Sequence, residues 1–590
     1  MQSHSTACLY DIFGMKFRAT ACVFVFLACQ SFLLGSPISY PVSKLKIVYG
    51  NPSADLPNLS ILKDAYVAIG SPQQEVRLER LLAGFSSPVF LTDEDLFRVS
   101  ELPLHFLKEK GFEGVVAFPD PSLIDPVSGK DLRTSSNRSM VIVVWVSVID
   151  SVEFQSDGLS KSEEKRLEKA VLRRASEEGV IGQAAKGEFF DSIKQLSSHR
   201  SRHSNIVLSA ANSPGRVKAV VKAKRKRSEH LSLSASNTGT ESTGEWILSA
   251  RGSTSQLSGL DDGLSLGYDV SHTAERYALT GNYYLPFNIQ DSMGIGVGAG
   301  YSSYDGSSFA ATHINFSGNT LFADLSLRAK TQQPIDYGFS GGVEVGMRLE
   351  NVEAYNSLST KPAADVLMMT PRVALSLEHT GKYRIANSAL SLFGNILAID
   401  ENERESLGGI NVTDRYFRFV VSHSENLLIG KMIGSKDKFT SRHLFTVNFQ
   451  SSMALSGDRH LPHHQFIAGG TGSVRGYPES LVAGDSGYLF SFEYRFPFYA
   501  LDGSDGSGDL FWTIAPFIDW GKTSVNDPMS WESDHILLAT GLSIHLALPY
   551  GMYSSLDFAT PLRRLEAGGS VLDGTDSGDY RVHGNFGWKF

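Results

Sequence analysis

The stretch "GGTGSVRGYPES", residues 469–480, contains a single cation, Arg475, among glycines and small polar residues. The sequence on either side alternates between apolar and polar residues, which is typical of β-strands. Glycine, serine and proline favour turns and let a backbone approach a neighbouring surface closely. The composition therefore predicts a turn-rich loop that presents one guanidinium, Arg475, to whatever lies beside it.

Two other segments could carry chemistry. "GDSG" (484–487) matches the nucleophile stretch of chymotrypsin-like proteases, with Ser486 as the candidate nucleophile. A serine hydrolase also needs a base histidine in context, and the chain contains neither a "TAAH"-like segment nor a G-x-S-x-G elbow. We therefore expect no catalysis, and we read Ser486 as the start of a strand.

The histidines of "DRHLPHHQ", His460, His463 and His464, could bind a metal ion. Spacing alone is poor evidence for a metal site, and no acidic partner is apparent nearby in the sequence. We therefore predict an exposed polar loop base, with neither a metal nor another cofactor.

The run "KAKRKR" (222–227) resembles a nucleic-acid patch, but the net charge of the chain is −9. A basic run in an exported chain fits anionic lipid headgroups or an acidic client better, so no nucleic-acid partner is expected.

The N-terminus indicates export. Lys16 and Arg18 precede the apolar run "ATACVFVFLACQSFLLG", which small residues follow. This order predicts a signal peptide over residues 1–36, with a transmembrane anchor or a lipidated Cys29 as rival interpretations. All three cysteines lie in this segment, so a mature chain without it would contain none, as suits passage through an oxidising compartment.

The C-terminal half has the pattern of a membrane barrel. The last segment, "YRVHGNFGWKF" (580–590), alternates without exception between two faces of a strand. One face is apolar apart from Gly584 and carries Phe586, Trp588 and Phe590, and the other is polar apart from Gly587. About sixteen such segments follow residue 229, whereas no later window offers ~18 consecutive apolar residues. The sequence therefore predicts a transmembrane antiparallel β-barrel of about 16 strands over residues 229–590.

Two small α+β modules are predicted before the barrel, over residues 42–149 and 150–228. The first module contains, in chain order, a strand (44–49), a helical segment (73–85) and a second helix that starts at a capping box of Thr92 and Asp95. Two strands (112–118 and 140–148) follow. The second module repeats this β-α-α-β-β order, with another capping box at Ser160 and Glu163.

These features together resemble the Omp85 superfamily of outer-membrane barrels, and more narrowly the two-partner secretion transporters, or haemolysin secretion/activation proteins. The similarity rests on two POTRA-like modules, the loop segment 469–498 and the terminal strand that ends in Phe590. It implies that Val474, Arg475, Gly476 and Tyr477 form the tip of a loop, 456–487, that folds into the barrel lumen. It also implies an acidic partner for the arginine in an F-x-D-x-G strand, which "FIDWG" (517–521) supplies as Asp519. At the reduced dielectric of a narrow lumen, such a pair would be bidentate and charge-assisted.

The function implied by the resemblance is polypeptide secretion across the bacterial outer membrane without ATP, with the modules in the periplasm. The expected partners are a secreted client polypeptide, outer-membrane lipid and the barrel-assembly machinery, which would recognise the terminal aromatic residues Phe586, Trp588 and Phe590. An insertase that assembles other barrel proteins is the alternative, and a structural or adhesin barrel is the third. One departure from the family pattern is that the sequence leaves no room for the plug helix that many members carry.

Overall fold

The structure is a computed structural model, and it describes residues 38–51, 55–70, 73–134, 136–197, 199–289, 291–306, 316–331, 338–356, 363–409, 411–434, 440–501, 510–567, 570–571 and 575–590. The predicted signal peptide, residues 1–36, lies outside these ranges. The chain divides into two compact units, with the boundary between Lys226 and Arg227. None of the helices in the described ranges is long and apolar enough to cross a membrane.

The first module of the N-terminal unit is built on a three-stranded sheet in the order β2-β7-β6. Strand β2 runs parallel to β7, and β6 runs antiparallel to β7. The hairpin of β3 and β4, the antiparallel pair of β1 and β5 and two helices complete the module. Its elements are β1 (Ser39–Val42), β2 (Lys44–Tyr49), β3 (Tyr66–Ile69), β4 (Gln74–Arg77), α1 (Leu78–Ala83), β5 (Val89–Thr92), α2 (Asp93–Glu109), β6 (Val115–Pro119) and β7 (Ser139–Val146).

The second module repeats this topology, with a sheet in the order β8-β10-β9 and the parallel pair β8 and β10. Lys224, in the basic run, pairs with Asp157 of β8 at 3.4 Å between Nζ and Oδ2. The β-α-α-β-β order predicted for both modules is therefore present. The elements are β8 (Val148–Asp157), α3 (Lys161–Glu177), α4 (Gly187–Ser197), β9 (Arg202–Ala210) and β10 (Arg216–Arg225).

The local signals for these helices were partly correct. The capping box of α2 is present: the Thr92 N–H donates to the Asp95 carboxylate at 2.9 Å, and the Asp95 N–H donates to the Thr92 hydroxyl at 3.1 Å. The helix predicted over 73–85 is wrong in its first half, because Gln74–Arg77 pairs as β4 with β3. In this case hairpin pairing overrides helical spacing.

Sixteen antiparallel strands of the described chain close into a barrel, which confirms the predicted architecture. The closing seam joins the first barrel strand to the last. The strands are β11 (Glu229–Ser236), β12 (Ile247–Thr254), β13 (Gly263–Ser271), β14 (Arg276–Pro286), β15 (Met293–Gly306), β16 (Phe316–Lys330), β17 (Phe339–Asn356), β18 (Ala363–Thr380), β19 (Arg384–Asn395), β20 (Tyr416–Leu427), β21 (Leu444–Ala454), β24 (Ser486–Leu501), β25 (Leu510–Ser524), β26 (His535–Ala547), β27 (Met552–Pro561) and β30 (Arg581–Lys589). The short strands β22 (Phe466–Ala468), β23 (Val482–Gly484), β28 (Glu566–Ala567) and β29 (Ser570–Val571), with helices α5 (Glu401–Ser406) and α6 (Ile429–Met432), lie in the connections.

The two faces of the barrel wall differ as the alternation predicts. Large apolar side chains such as Leu321, Leu325 and Leu327 are exposed on the outer face, where lipid would cover them. In β25 the outward Ile518 and Trp520 flank Asp519, which is fully buried on the inner face. In this strand the charged side chain therefore faces inward.

One strand has almost no side chains on one face. Gly294, Gly296, Gly298 and Gly300 alternate along β15. Neighbouring side chains lie across two of them: a Cβ on Gly294 would come within 2.4 Å of the Tyr284 hydroxyl, and a Cβ on Gly300 within 2.4 Å of the Phe322 ring. Aromatic rings from adjacent strands thus cover glycines, a known device in curved sheets.

Candidate functional site

The loop that carries Arg475 connects β21 to β24 and spans residues 455–485, close to the predicted 456–487. Strands β22 and β23 pair antiparallel and form its stem. At the tip, Gly476 has φ +92°, and a Cβ there would lie 3.2 Å from the backbone nitrogen of Pro561. Glycine at 476 therefore permits both the left-handed backbone and the close approach to the barrel wall.

The Arg475 guanidinium binds Asp519 in a bidentate manner. Its Nε donates to Oδ2 at 2.7 Å and its Nη2 donates to Oδ1 at 2.9 Å. The backbone N–H of Arg475 donates to the same carboxylate at 3.1 Å. Both side chains are buried, with Asp519 fully so. The fork-to-carboxylate geometry is the strongest form of a charge-assisted hydrogen bond between side chains.

Other inner-face groups complete the arginine site. Arg475 Nη1 donates to Glu493 Oε2 at 3.0 Å and to the Ser543 hydroxyl at 3.1 Å. The guanidinium carbon lies 3.4 Å from the centre of the Phe517 ring, a cation–π contact. Asp557 Oδ1 is 3.8 Å from Nη1. One loop side chain thereby contacts four strands of the wall, β24 to β27.

Arg475 compensates negative charge in this site. Three carboxylates, from Glu493, Asp519 and Asp557, face one guanidinium. Arg495 also pairs with Glu493, and Ser543 donates to Asp557. Because buried carboxylates repel one another and lose hydration, removal of the Arg475 charge would leave the wall with uncompensated negative charge.

The remaining tip residues anchor by apolar contact. Val474 and Tyr477 are fully buried in a cluster that includes Leu489, Leu537 and Leu565. The Tyr477 hydroxyl lies 2.6 Å from the Arg563 carbonyl oxygen, to which it donates, and it accepts from the Leu538 N–H at 3.3 Å. The four tip residues named from the sequence thus dock together against the inner wall.

A second anchor lies at the base of the loop, and sequence reasoning missed it. The Asp485 carboxylate is fully buried and accepts from the His460 N–H at 2.8 Å, the Gln465 amide at 3.2 Å and the Asn526 N–H at 2.9 Å. The hydroxyl of Ser486 accepts from the Ala454 N–H at 2.9 Å. The "GDSG" segment thus holds the two ends of the loop together.

An ion pair reinforces the base. Arg459 donates to the Glu532 carboxylate through Nη2 at 2.6 Å and Nη1 at 2.8 Å, and Nη1 also donates to the Asp527 carbonyl at 3.2 Å. Glu532 and Asp527 belong to the connection between β25 and β26. Only the unusual density of turn-forming polar residues in that connection could have drawn attention to it.

The terminal strand β30 places two of the three predicted aromatic residues, Phe586 and Trp588, on the outside. Phe586 and Trp588 are exposed on the outer face, and Trp588 Nε1 donates to the Tyr550 carbonyl at 2.7 Å. The Phe590 N–H donates to the Leu231 carbonyl of β11 at 2.8 Å. Between β11 and β30 the described register pairs Ser232–Ser236 with Asn585–Lys589, five residues on each strand, the shortest ladder of the described barrel.

A polar cavity of about 570 Å³ lies between the loop tip and the inner faces of β18 to β21 and β24. Hydroxyl, amide and imidazole groups line it, including those of Ser388, Ser422, His423, Asn448 and Gln450. Arg475 and Glu493 border it from the side of the loop. The docked loop therefore does not fill the barrel.

Residues 260–569 match the Omp85 superfamily domain. The chain belongs to the Omp85 superfamily. A 16-strand barrel of this superfamily is a protein of the bacterial outer membrane. A search of curated protein sequences gives no match.

Solved Omp85 structures share the fold at low sequence identity. CdiB from Escherichia coli is 13% identical with a TM-score of 0.58, covering 95% of this chain and 92% of that one. CdiB from Acinetobacter baumannii is 13% identical with a TM-score of 0.53, covering 95% and 91%. BamA from Haemophilus ducreyi, in a form lacking POTRA domains 1–3, is 12% identical with a TM-score of 0.53, covering 93% of this chain and 100% of that one. At such identity the similarity shows the fold, and the modules of this chain resemble POTRA domains.

Proposed function

We propose that this protein secretes a partner polypeptide from the periplasm to the cell surface through its barrel, without ATP and without catalysis. The observation that carries the proposal is the loop tip, where one buried guanidinium joins four strands of the inner wall beside an open polar cavity. A loop held by one arginine has a defined docked position, and it leaves room for an extended chain.

The two modules fit a role in the periplasm. Each presents a three-stranded mixed sheet whose outer strands, β2 and β6 or β8 and β9, have one edge without a strand partner in that sheet. An extended client could add to such an edge through its backbone hydrogen bonds. The client that the barrel exports would then meet these edges before it reaches the lumen.

The second candidate is an insertase for other barrel proteins. The similarity to BamA and the short ladder between β11 and β30 favour it, because a seam with few hydrogen bonds is the easiest to open sideways. Two modules over the described residues and the similarity to two CdiB structures favour secretion.

Comparison of the proteome of a deletion strain with that of the parent separates the two functions. Secretion predicts the loss of one large exported protein, whereas assembly predicts the depletion of many outer-membrane barrels.

Arg475→Ala should abolish export while the barrel still inserts. Arg495→Ala is the matched control, because Arg495 also contacts Glu493 but belongs to β24 and not to the loop. Normal export by Arg475→Ala would refute the role of the loop.

A further inference from the structure

The histidines at the base of the loop are arranged differently from the sequence prediction. His460 is fully buried, so the predicted exposed loop base is wrong at this position, whereas His463 is exposed. The acidic partner that the sequence did not reveal comes from β17. Glu350 Oε2 lies 3.9 Å from His464 Nε2, and Glu350 is buried on the inner face.

Three side chains converge at this point. Glu350, His463 and His464 each offer one ligand atom, and these atoms all lie within 4.8 Å of one another. No other group of three metal-ligating side chains is as compact in the part of the chain that the structure describes. In a tetrahedral zinc site, bonds of about 2.0–2.1 Å place ligand atoms roughly 3.3 Å apart. Small side-chain movements would therefore bring these atoms to coordinating distance.

The orientation of His464 is fixed by a neighbour. Its Nδ1 is hydrogen-bonded to the hydroxyl of the buried Tyr416. This contact leaves Nε2 directed toward Glu350. Histidines that bind metals usually have their second ring nitrogen hydrogen-bonded in this way, because the bond sets the tautomer and the ring orientation. Tyr416 thus supplies the outer support that a metal site requires.

The surrounding charges and the ligand types both bear on which ion fits. Arg348, two residues from Glu350, is already bound to Asp324 through two hydrogen bonds of 2.8 Å. Arg418 donates to the His464 carbonyl and lies over the Phe393 ring, 4.2 Å from its centre. Its positive charge opposes any cation, so the ligand types discriminate: Ca²⁺ and Mg²⁺ are bound mainly by oxygen atoms, of which this site offers one carboxylate. Imidazole nitrogens instead favour borderline transition metals.

We propose that Glu350, His463 and His464 form a binding site for a divalent transition-metal ion of the Zn²⁺ type, with a water molecule in the open fourth position. His463 and His464 belong to the loop, whereas Glu350 belongs to the wall. A bound ion would therefore cross-link the base of the loop to β17. This site does not depend on the proposed function.

Co²⁺ is a suitable probe, because histidine-bound tetrahedral Co²⁺ absorbs visible light and Zn²⁺ displaces it. The full chain in detergent should bind one equivalent of Co²⁺, and Zn²⁺ should compete. Glu350→Gln, His464→Asn and His463→Asn should each weaken binding at least about tenfold, and Tyr416→Phe should weaken it by about tenfold through the orientation of His464. His463 is exposed, so His463→Asn tests the site with little effect on packing.

His423→Asn is the matched control. His423 Nε2 lies 3.3 Å from Glu425 Oε2. Among the described residues, no third metal-ligating side chain lies within 4.8 Å of both. Its substitution should leave Co²⁺ affinity unchanged. Absence of the visible bands in the unsubstituted protein would overturn the proposal. Equal affinity in Glu350→Gln, or a loss in His423→Asn as large as in His463→Asn, would also overturn it.

Discussion

The tip and the base of the same loop are held to the barrel by opposite means. At the tip, one cation on the loop is received by carboxylates on the wall. At the base, one buried carboxylate, Asp485, receives N–H groups from both flanks and from the side-chain amide of Gln465. The tip therefore rests on ion pairs with the wall, whereas the Asp485 anchor of the base rests on neutral hydrogen-bond donors, with the Arg459–Glu532 ion pair beside it. The difference indicates that the tip can be released by one change of charge, whereas the base keeps the loop in place.

The largest expected effect is at the tip. Arg475→Ala should release it, because breaking a buried ion pair costs about 3–5 kcal/mol when the partner charges stay behind. A Val474→Cys reporter measures the release, since this fully buried position should react slowly with a maleimide in the docked loop and quickly in the released one.

Arg475→Lys sharpens this test, because lysine keeps the charge but loses the planar fork. It should give intermediate reactivity, and Arg495→Ala should leave the reporter protected. A reporter that stays protected in Arg475→Ala would mean that the apolar contacts of Val474 and Tyr477 hold the tip by themselves.

At the base, a smaller effect is expected from Asp485→Asn. Asparagine replaces one carboxylate oxygen with an NH₂ group. This donor would face the N–H of His460 or Asn526, which then loses its acceptor, at a cost of about 1–3 kcal/mol. Hydrogen exchange should become faster at these two amides. Asp534→Asn is the control, since Asp534 also accepts a backbone N–H, from Val525, but it is exposed.

The two anchors should be separable. In Asp485→Asn the Val474→Cys reporter should stay protected, because the tip contacts are intact. If the reporter became as reactive as in Arg475→Ala, tip and base would form one cooperative unit, and the distinction drawn here would fail.

The smallest effect concerns the ion pair at the base. Burial raises the pKa of Glu532, but hydrogen bonds, first from the Arg459 side chain and then from the Met529 N–H, outweigh it and lower the pKa below its ordinary value. A carboxyl whose pKa is lowered by folding stabilises the folded state above its unfolded pKa and loses this contribution as pH falls through the folded value. Hydrogen exchange around Asp527 should therefore increase in acid, and Glu532→Gln should remove that pH dependence. An unchanged pH profile in Glu532→Gln would contradict this assignment. The expected size is about 1 kcal/mol or less.

The sequence was sufficient for the architecture because alternation of period two reports directly which face of a strand meets lipid. It also indicated Arg475 through its glycine-rich surroundings, and the family resemblance supplied Asp519. Glu493 and Asp557 could not be found in this way, since an inward acidic residue looks the same in every barrel strand. Which of them meets the loop depends on strand register and on the path of the loop.

The same limit applied to the histidines. Glu350 and His464 lie far apart in the chain, and only the closed barrel with its folded-in loop brings them together. Helical spacing misled the prediction for residues 73–85, where the first half pairs in a hairpin with β3. Contacts that depend on long-range geometry are thus the part that a single sequence does not reveal.

The glycines of β15 have a further consequence for the lumen. Around the closed sheet β15 is the fifth strand and β25 the thirteenth, so the two lie eight strands apart in either direction and face each other. The loop occupies the side of β25, where Asp519 holds it. Along residues 294–300 the inner face of β15 carries only glycines, and Tyr284 and Phe322 of the adjacent strands lie over two of them. β15 itself therefore contributes no side chain to the lumen along these residues, and any contact with a chain there would come from the neighbouring strands.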